Sequence, residues 1–129
     1  MNATPSPAAP MRVLVAIDGS APSARAVDLV CGVPWPDGTT IVVAQAVESG
    51  EGLYGGLWPA VAMVELGKLE AEVRSAADQD VTEAAERLMR PGLAVDTAVL
   101  PGRPATVIGE RARAMGADLI VVGSRGHGR

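Results

Sequence analysis

A doubly wound α/β sheet is the fold class that this sequence predicts, and three observations predict it. Two short apolar runs, Arg12-Val-Leu-Val-Ala-Ile17 and Leu119-Ile-Val-Val122, lack the alternation of a half-exposed strand. They suit strands covered on both faces, as in a parallel sheet. Around and between them, strand-like and helix-like segments alternate as β-α-β-α-β-α-β, most of them separated by Gly or Pro. Right-handed crossovers leave few topologies. With the two apolar runs central and the more polar Leu93–Leu100 outermost, the strand order is 3-2-1-4, with helices on both faces of the sheet.

Bulk composition narrows the function classes. A chain of 129 residues makes one domain with a real core. Hydrophobic residues are 48% and aromatics 2%, with no Phe, so the core must be Val, Leu, Ile, Met and Ala. Eleven Lys and Arg stand against fifteen Asp and Glu, a net charge of −4. That balance argues against a nucleic-acid partner or an anionic membrane surface, which need clustered positive charge. Cys31 is the one cysteine, which excludes an intramolecular disulfide and a thiolate metal cluster. Its expected role is that of a small apolar residue near a helix end. No apolar run has the length of a membrane span. The N-terminus has no positive region followed by an apolar one, so it does not read as a secretory signal, and the cytoplasm is the expected location.

The elements follow in order. Residues 1–10, with three prolines among small residues, are expected to be a disordered leader, and residues 11–129 a single domain. Arg12 to Ile17 is the first strand, closed by Asp18-Gly19-Ser20. Ser20 is a good N-cap, and Pro22 suits the first turn of a helix to about Cys31. Ala24, Val27, Leu29 and Val30 are expected on its sheet side. Pro34 and Pro36 mark a turn between Gly32 and Gly38, and Thr40 to Val47 is the second strand. Glu48 to Pro59 reads as a loop, with Gly50, Gly52, Gly55 and Gly56 around Tyr54, Leu57 and Trp58. Its length suits a lid, an interaction surface or an ordinary connection.

Ala60 to Arg90 has helical spacing at Val61, Leu66, Leu69, Val73, Ala77, Val81, Ala84 and Leu88. Gly67 and Asp78-Gln79-Asp80 weaken the pattern locally, and a break is expected there if anywhere. Pro91-Gly92 ends the helix. Asp96 and Thr97 in the middle of Leu93–Leu100 make that strand a sheet edge. Pro101-Gly102-Arg103-Pro104 turns into a helix through about Met115, capped by Gly116.

The chemistry concentrates where the last strand ends. Gly123, Gly126 and Gly128 are interleaved with Ser124, Arg125 and His127. Bare N–H groups in such a turn can form a concave anion site, and a plain glycine turn is the competing reading. In the predicted sheet the first and fourth strands flank the topological switch point, where ligands bind beyond the strands' carboxyl ends. Asp18 and the Gly123–Gly128 loop then face one crevice, which favours a phosphate pocket. Asp18 alone reads equally as a turn or capping aspartate. Arg125 and Arg129 are either phosphate partners or solvated arginines. No P-loop pattern occurs, nor a G-x-G-x-x-G after the first strand. His127 is the only histidine, so no histidine pair or triad exists, and a resident metal site would need several ligands.

Three segments, Val15-Ala-Ile-Asp18-Gly-Ser20, Val99-Leu-Pro-Gly102-Arg-Pro104 and Ala117-Asp-Leu-Ile-Val-Val-Gly123-Ser-Arg-Gly126, together resemble the universal stress protein family. The resemblance covers Met11 to Arg129. It implies a Rossmann-like, three-layer α/β/α fold, a cytoplasmic protein and a homodimer. It also implies ATP binding, as in one branch of the family, with an unknown protein partner. Carried over by position, Asp18 contacts the ribose, or magnesium held by the nucleotide. The backbone of Ala46 meets the adenine, Gly123 lies against the ribose, and the Gly126 amide holds phosphate. Gly19, Gly102, Ser124, Arg125 and His127 complete the expected cofactor contacts. In the nucleotide-binding branch the G-x-x-G of Gly123–Gly126 is followed by a further glycine and Ser or Thr. Neither these nor the family's fifth strand and last helix occur before Arg129. The domain is therefore expected to be C-terminally incomplete, with residues 118–123 as an exposed, self-associating edge. Three functional readings follow: a nucleotide-dependent regulatory module, a slow ATPase, and a dimeric adaptor without nucleotide. The enzyme is the weaker reading, because no second carboxylate motif or activated nucleophile accompanies Asp18.

Overall fold

The computed structural model describes residues 8–48 and 60–123, with side chains in the second stretch from residue 65 onward. The elements are β1 (Arg12–Ile17), α1 (Ala21–Cys31), β2 (Thr39–Val47), α2 (Ala60–Leu88), β3 (Leu93–Pro101), α3 (Pro104–Met115) and β4 (Leu119–Val122). All strand pairs are parallel and the order is β3-β2-β1-β4, as the sequence predicts. β1 is therefore central, with Val13 beside Ile41 on one side and Leu119 on the other.

The period-two geometry of the strands divides the core into two layers. Val13, Val15, Ile17, Ile41 and Val43 pack with Val27 and Val30 of α1 and with Val81, Ala84, Ala85 and Leu88 of α2. On the other face Leu14, Val42 and Ala44 pack with Ala112 of α3, flanked by Ile108 and Met115. Cys31 packs partly buried against the first layer, at the last residue of α1. β-Branched and small residues fill this core, with Trp35 packed at its margin, so sheet and helices approach closely.

Helix ends are fixed by local chemistry. Ser20 caps α1, its Oγ accepting the Ser23 N–H at 3.3 Å. Arg90 donates to the carbonyls of Cys31 and Val33 just beyond the other end of α1. Gly116 ends α3 at φ 65°, a left-handed conformation suited to glycine. Arg12 Nη1 donates to the Met115 carbonyl there, and the Arg12 N–H donates to Asp118 Oδ2 at 2.9 Å.

Several expectations are corrected. α1 buries Ser23, Val27 and Val30, whereas Ala24 and Leu29 face solvent, because only the former set shares one stripe at i, i+4 and i+7. Leu69 and Val73 are exposed on α2. That helix runs without a break through Asp78–Asp80, since its C-terminal half is held on the sheet by Ala77, Val81, Ala84 and Leu88. β4 is not covered on both faces. It is the exposed edge strand beside β1, as expected for residues 118–123 and unlike the covered strand that its apolar run suggested, with Ile120 and Val122 43% and 62% exposed, because α3 lies over the centre of the sheet rather than over β4.

Candidate functional site

β1 stops at Ile17, opposite Gln45, whereas β2 continues through Ala46 and Val47 with only β3 as its strand partner there. A gap opens beyond the end of β1, between β2 and β4. On the α3 face that gap is a cavity of about 480 Å³. Its floor is Ala16, Ile17, Asp18 and Ala46, one wall is Ile120 and Val122 of β4, and the other is α3, through Pro104, Ala105, Ile108 and Gly109. Pro104 starts α3, so its missing N–H leaves no unmet donor. Ala105 and Gly109, one turn apart, keep the helix wall open. A Cβ at Gly109 would meet nothing within 4 Å.

Asp18 is held by its own turn. Its Oδ1 accepts the Ser20 N–H at 3.0 Å and the Ser20 hydroxyl, and its N–H donates to Ser23 Oγ at 2.7 Å. The Ser23 hydroxyl in turn donates to the Gly123 carbonyl at 2.6 Å. The Gly123 N–H donates to the Ala16 carbonyl at 3.3 Å. The ends of β1 and β4 are thus tied together through the start of α1.

Of the nine residues expected to contact a cofactor, Asp18 and Ala46 meet in this cavity. Gly19, at φ 79°, turns to the opposite face, where it joins Ser20, Ser23, Asp80 and Glu83 around a cavity of about 190 Å³. Gly102 is in the turn between β3 and α3 at φ 130°, its N–H donating to the Val47 carbonyl at 2.9 Å. Gly123 is buried against α1, and a Cβ there would lie 2.5 Å from that of Ala26. Ser124, Arg125, Gly126 and His127 lie outside the described residues, as do Tyr54, Leu57 and Trp58. Among the described residues no group of three His, Cys, Asp or Glu side chains could hold a metal, and no helix is long and apolar enough to cross a membrane.

Sequence reasoning missed the α3 wall and Ser23. Small residues at positions 105 and 109 were the available signal for the wall. Ser23 gave none, since a serine in the first turn of a helix reads as a helix-start residue.

A search of curated proteins found no match. Among solved structures, universal stress protein UspA from Lactobacillus plantarum superposes with a TM-score of 0.69 at 17% identity, over 93% of this chain and 81% of its own. The hypothetical protein MJ0577 gives 0.71 at 16%, over 85% and 71%. A universal stress protein in complex with cAMP gives 0.53 at 21%, over 88% and 71%. At such identities these likenesses establish a shared fold. The universal stress protein family model matches residues 10–129, nearly the whole sequence, and with the 3-2-1-4 sheet this means that the chain belongs to the universal stress protein family.

Proposed function

We propose that the cleft between α3 and the ends of β1, β2 and β4 binds an adenine nucleotide, ATP in the first instance, and that its occupancy regulates a protein interaction in the stress response. One observation carries this reading: Asp18 and Ala46, distant in sequence, line one apolar cavity at the topological switch point. Its volume of about 480 Å³ falls within the range of small-ligand sites. Ile108, Ile120 and Val122 suit the faces of a base, and the main chain of Ala46 suits its hydrogen-bonding edge. Asp18 suits ribose hydroxyls or magnesium carried by the nucleotide. Gly123 and the segment Ser124–His127 follow directly from the β4 wall, where the phosphates would extend. Gly19 and Gly102 would act by shaping the turns beside the cleft. The cAMP complex of another family member supports the adenine nucleotide class.

The role is regulatory rather than catalytic, since the lining described holds one carboxylate and no nucleophilic side chain. A cytoplasmic homodimer is part of the same proposal. ATP is expected to raise the melting temperature of the protein, because a ligand that binds only the folded state stabilises it by about 2.7 kcal/mol at a hundredfold excess over Kd. Asp18→Ala should shrink that shift at equal ATP. An unshifted parent protein in millimolar ATP and magnesium would contradict the proposal.

A further inference from the structure

We infer that Ser23 is a positioning residue of the nucleotide cleft, fixing Asp18 and the beginning of the Gly123 loop relative to each other. This rests on the nucleotide reading of the cleft. Ser23 lies in the first turn of α1, is 2% exposed, and is one of two buried polar residues among those described. Its backbone N–H already satisfies the helix cap, through Ser20 Oγ. The side chain is therefore released for another task, and its single oxygen serves two strand ends. It accepts the Asp18 N–H at 2.7 Å and donates its proton to the buried Gly123 carbonyl at 2.6 Å. These partners are five residues before it and a hundred after it.

A hydroxyl is the smallest group able to donate and accept at one atom. The backbones of Ser23 and Gly123 meet closely, since Ser23 Cα is 3.0 Å from where a Gly123 Cβ would stand. Nothing in helix formation requires this bridge. Its two partners are the residue that lines the floor of the cleft and the one that opens the glycine loop. Holding both keeps the Asp18 backbone and the end of β4 at Gly123 in register beside the cleft. Ser20 fixes the Asp18 side chain, and Ser23 fixes its backbone.

The test is calorimetric titration of the full chain with ATP, for the parent and for Ser23→Ala, Ser23→Thr and Val30→Ala. Val30 is equally buried on the same helix but has no side-chain hydrogen-bonding group to hold Asp18 or Gly123, so it controls for lost stability. Ser23→Ala is expected to bind about tenfold more weakly, the scale on which supporting hydrogen bonds act. Ser23→Thr, which keeps the hydroxyl, should stay within about threefold of the parent, and Val30→Ala should bind as the parent does. If Ser23→Ala does not fold, Ser23→Cys, with a weaker donor, takes its place in the same order. Equal affinities for parent and Ser23→Ala, or an equal loss in Val30→Ala, would overturn the inference. If the parent itself does not bind ATP, the nucleotide reading fails instead. The positioning role is then read in the ligand-free protein, from the Asp18 amide. Its proton should shift upfield and exchange faster in Ser23→Ala but not in Val30→Ala, and an unmoved Asp18 amide would overturn it.

Discussion

A methyl group at Gly123 would stand 2.5 Å from Ala26 Cβ, 2.7 Å from the Pro22 carbonyl oxygen and 3.0 Å from Ser23 Cα. Two of those three atoms are backbone, so the start of α1 would have to move. Gly123→Ala should therefore destabilise by about 1–3 kcal/mol, as overpacking does, and a melting curve against the parent checks it. The sequence marked this glycine as a ligand contact, but the constraint that the structure shows on it is the helix behind it. Asp18 was legible because it follows an apolar run at the switch point, whereas Ala46 was expected only through the resemblance to the family. Ser23 was not, because its partner at Gly123 is a hundred residues away and pairing at that separation exists only in the folded chain.

Strands were the most legible elements, since an unbroken run of Val, Leu and Ile over a few residues suits little besides a buried strand. Helix existence and caps were legible too, from Ser20, Pro22, Pro104 and Gly116. Helix faces were less so. α2 has apolar residues along its described length, yet Leu66, Ala77, Val81 and Leu88 are buried while Leu69 and Val73 are exposed. Spacing alone admits several stripes, and contact with β2, β3 and α1 selects one. Leu88→Ala should cost about 2–5 kcal/mol, the range for a buried leucine, whereas Leu69→Ala should change stability by less than about 0.5 kcal/mol. Urea denaturation of the two variants separates them. At the end of α1, Arg90→Ala removes two hydrogen bonds to carbonyls, and a loss of about 1 kcal/mol in the same measurement is expected for groups this exposed.

At the scale of the molecule, strand order and layer arrangement followed from the β-α alternation, the handedness of crossovers and the contrast between the apolar runs and the more polar Leu93–Leu100. The exposure of β4 did not follow from its apolar residues, because burial depends on what lies beyond the strand and on where α3 comes to rest. The cleft has the same origin: α3 over the centre of the sheet and β1 ending short of β2 leave an opening with Asp18 and Ala46 at its floor. Its helical wall supplies a probe that separates binding from folding. Gly109 lines the opening and has free space at its Cβ, so a larger side chain there enters the cleft without displacing the core. Gly109→Leu also improves helix propensity by up to about 1 kcal/mol, so the variant should melt no lower than the parent. Titration of both proteins with ATP is the most direct test of the nucleotide cleft. Measurable binding by the parent, with at least a roughly tenfold loss in an equally stable Gly109→Leu, is the predicted result, and equal affinity in the two, or none in the parent, would contradict it.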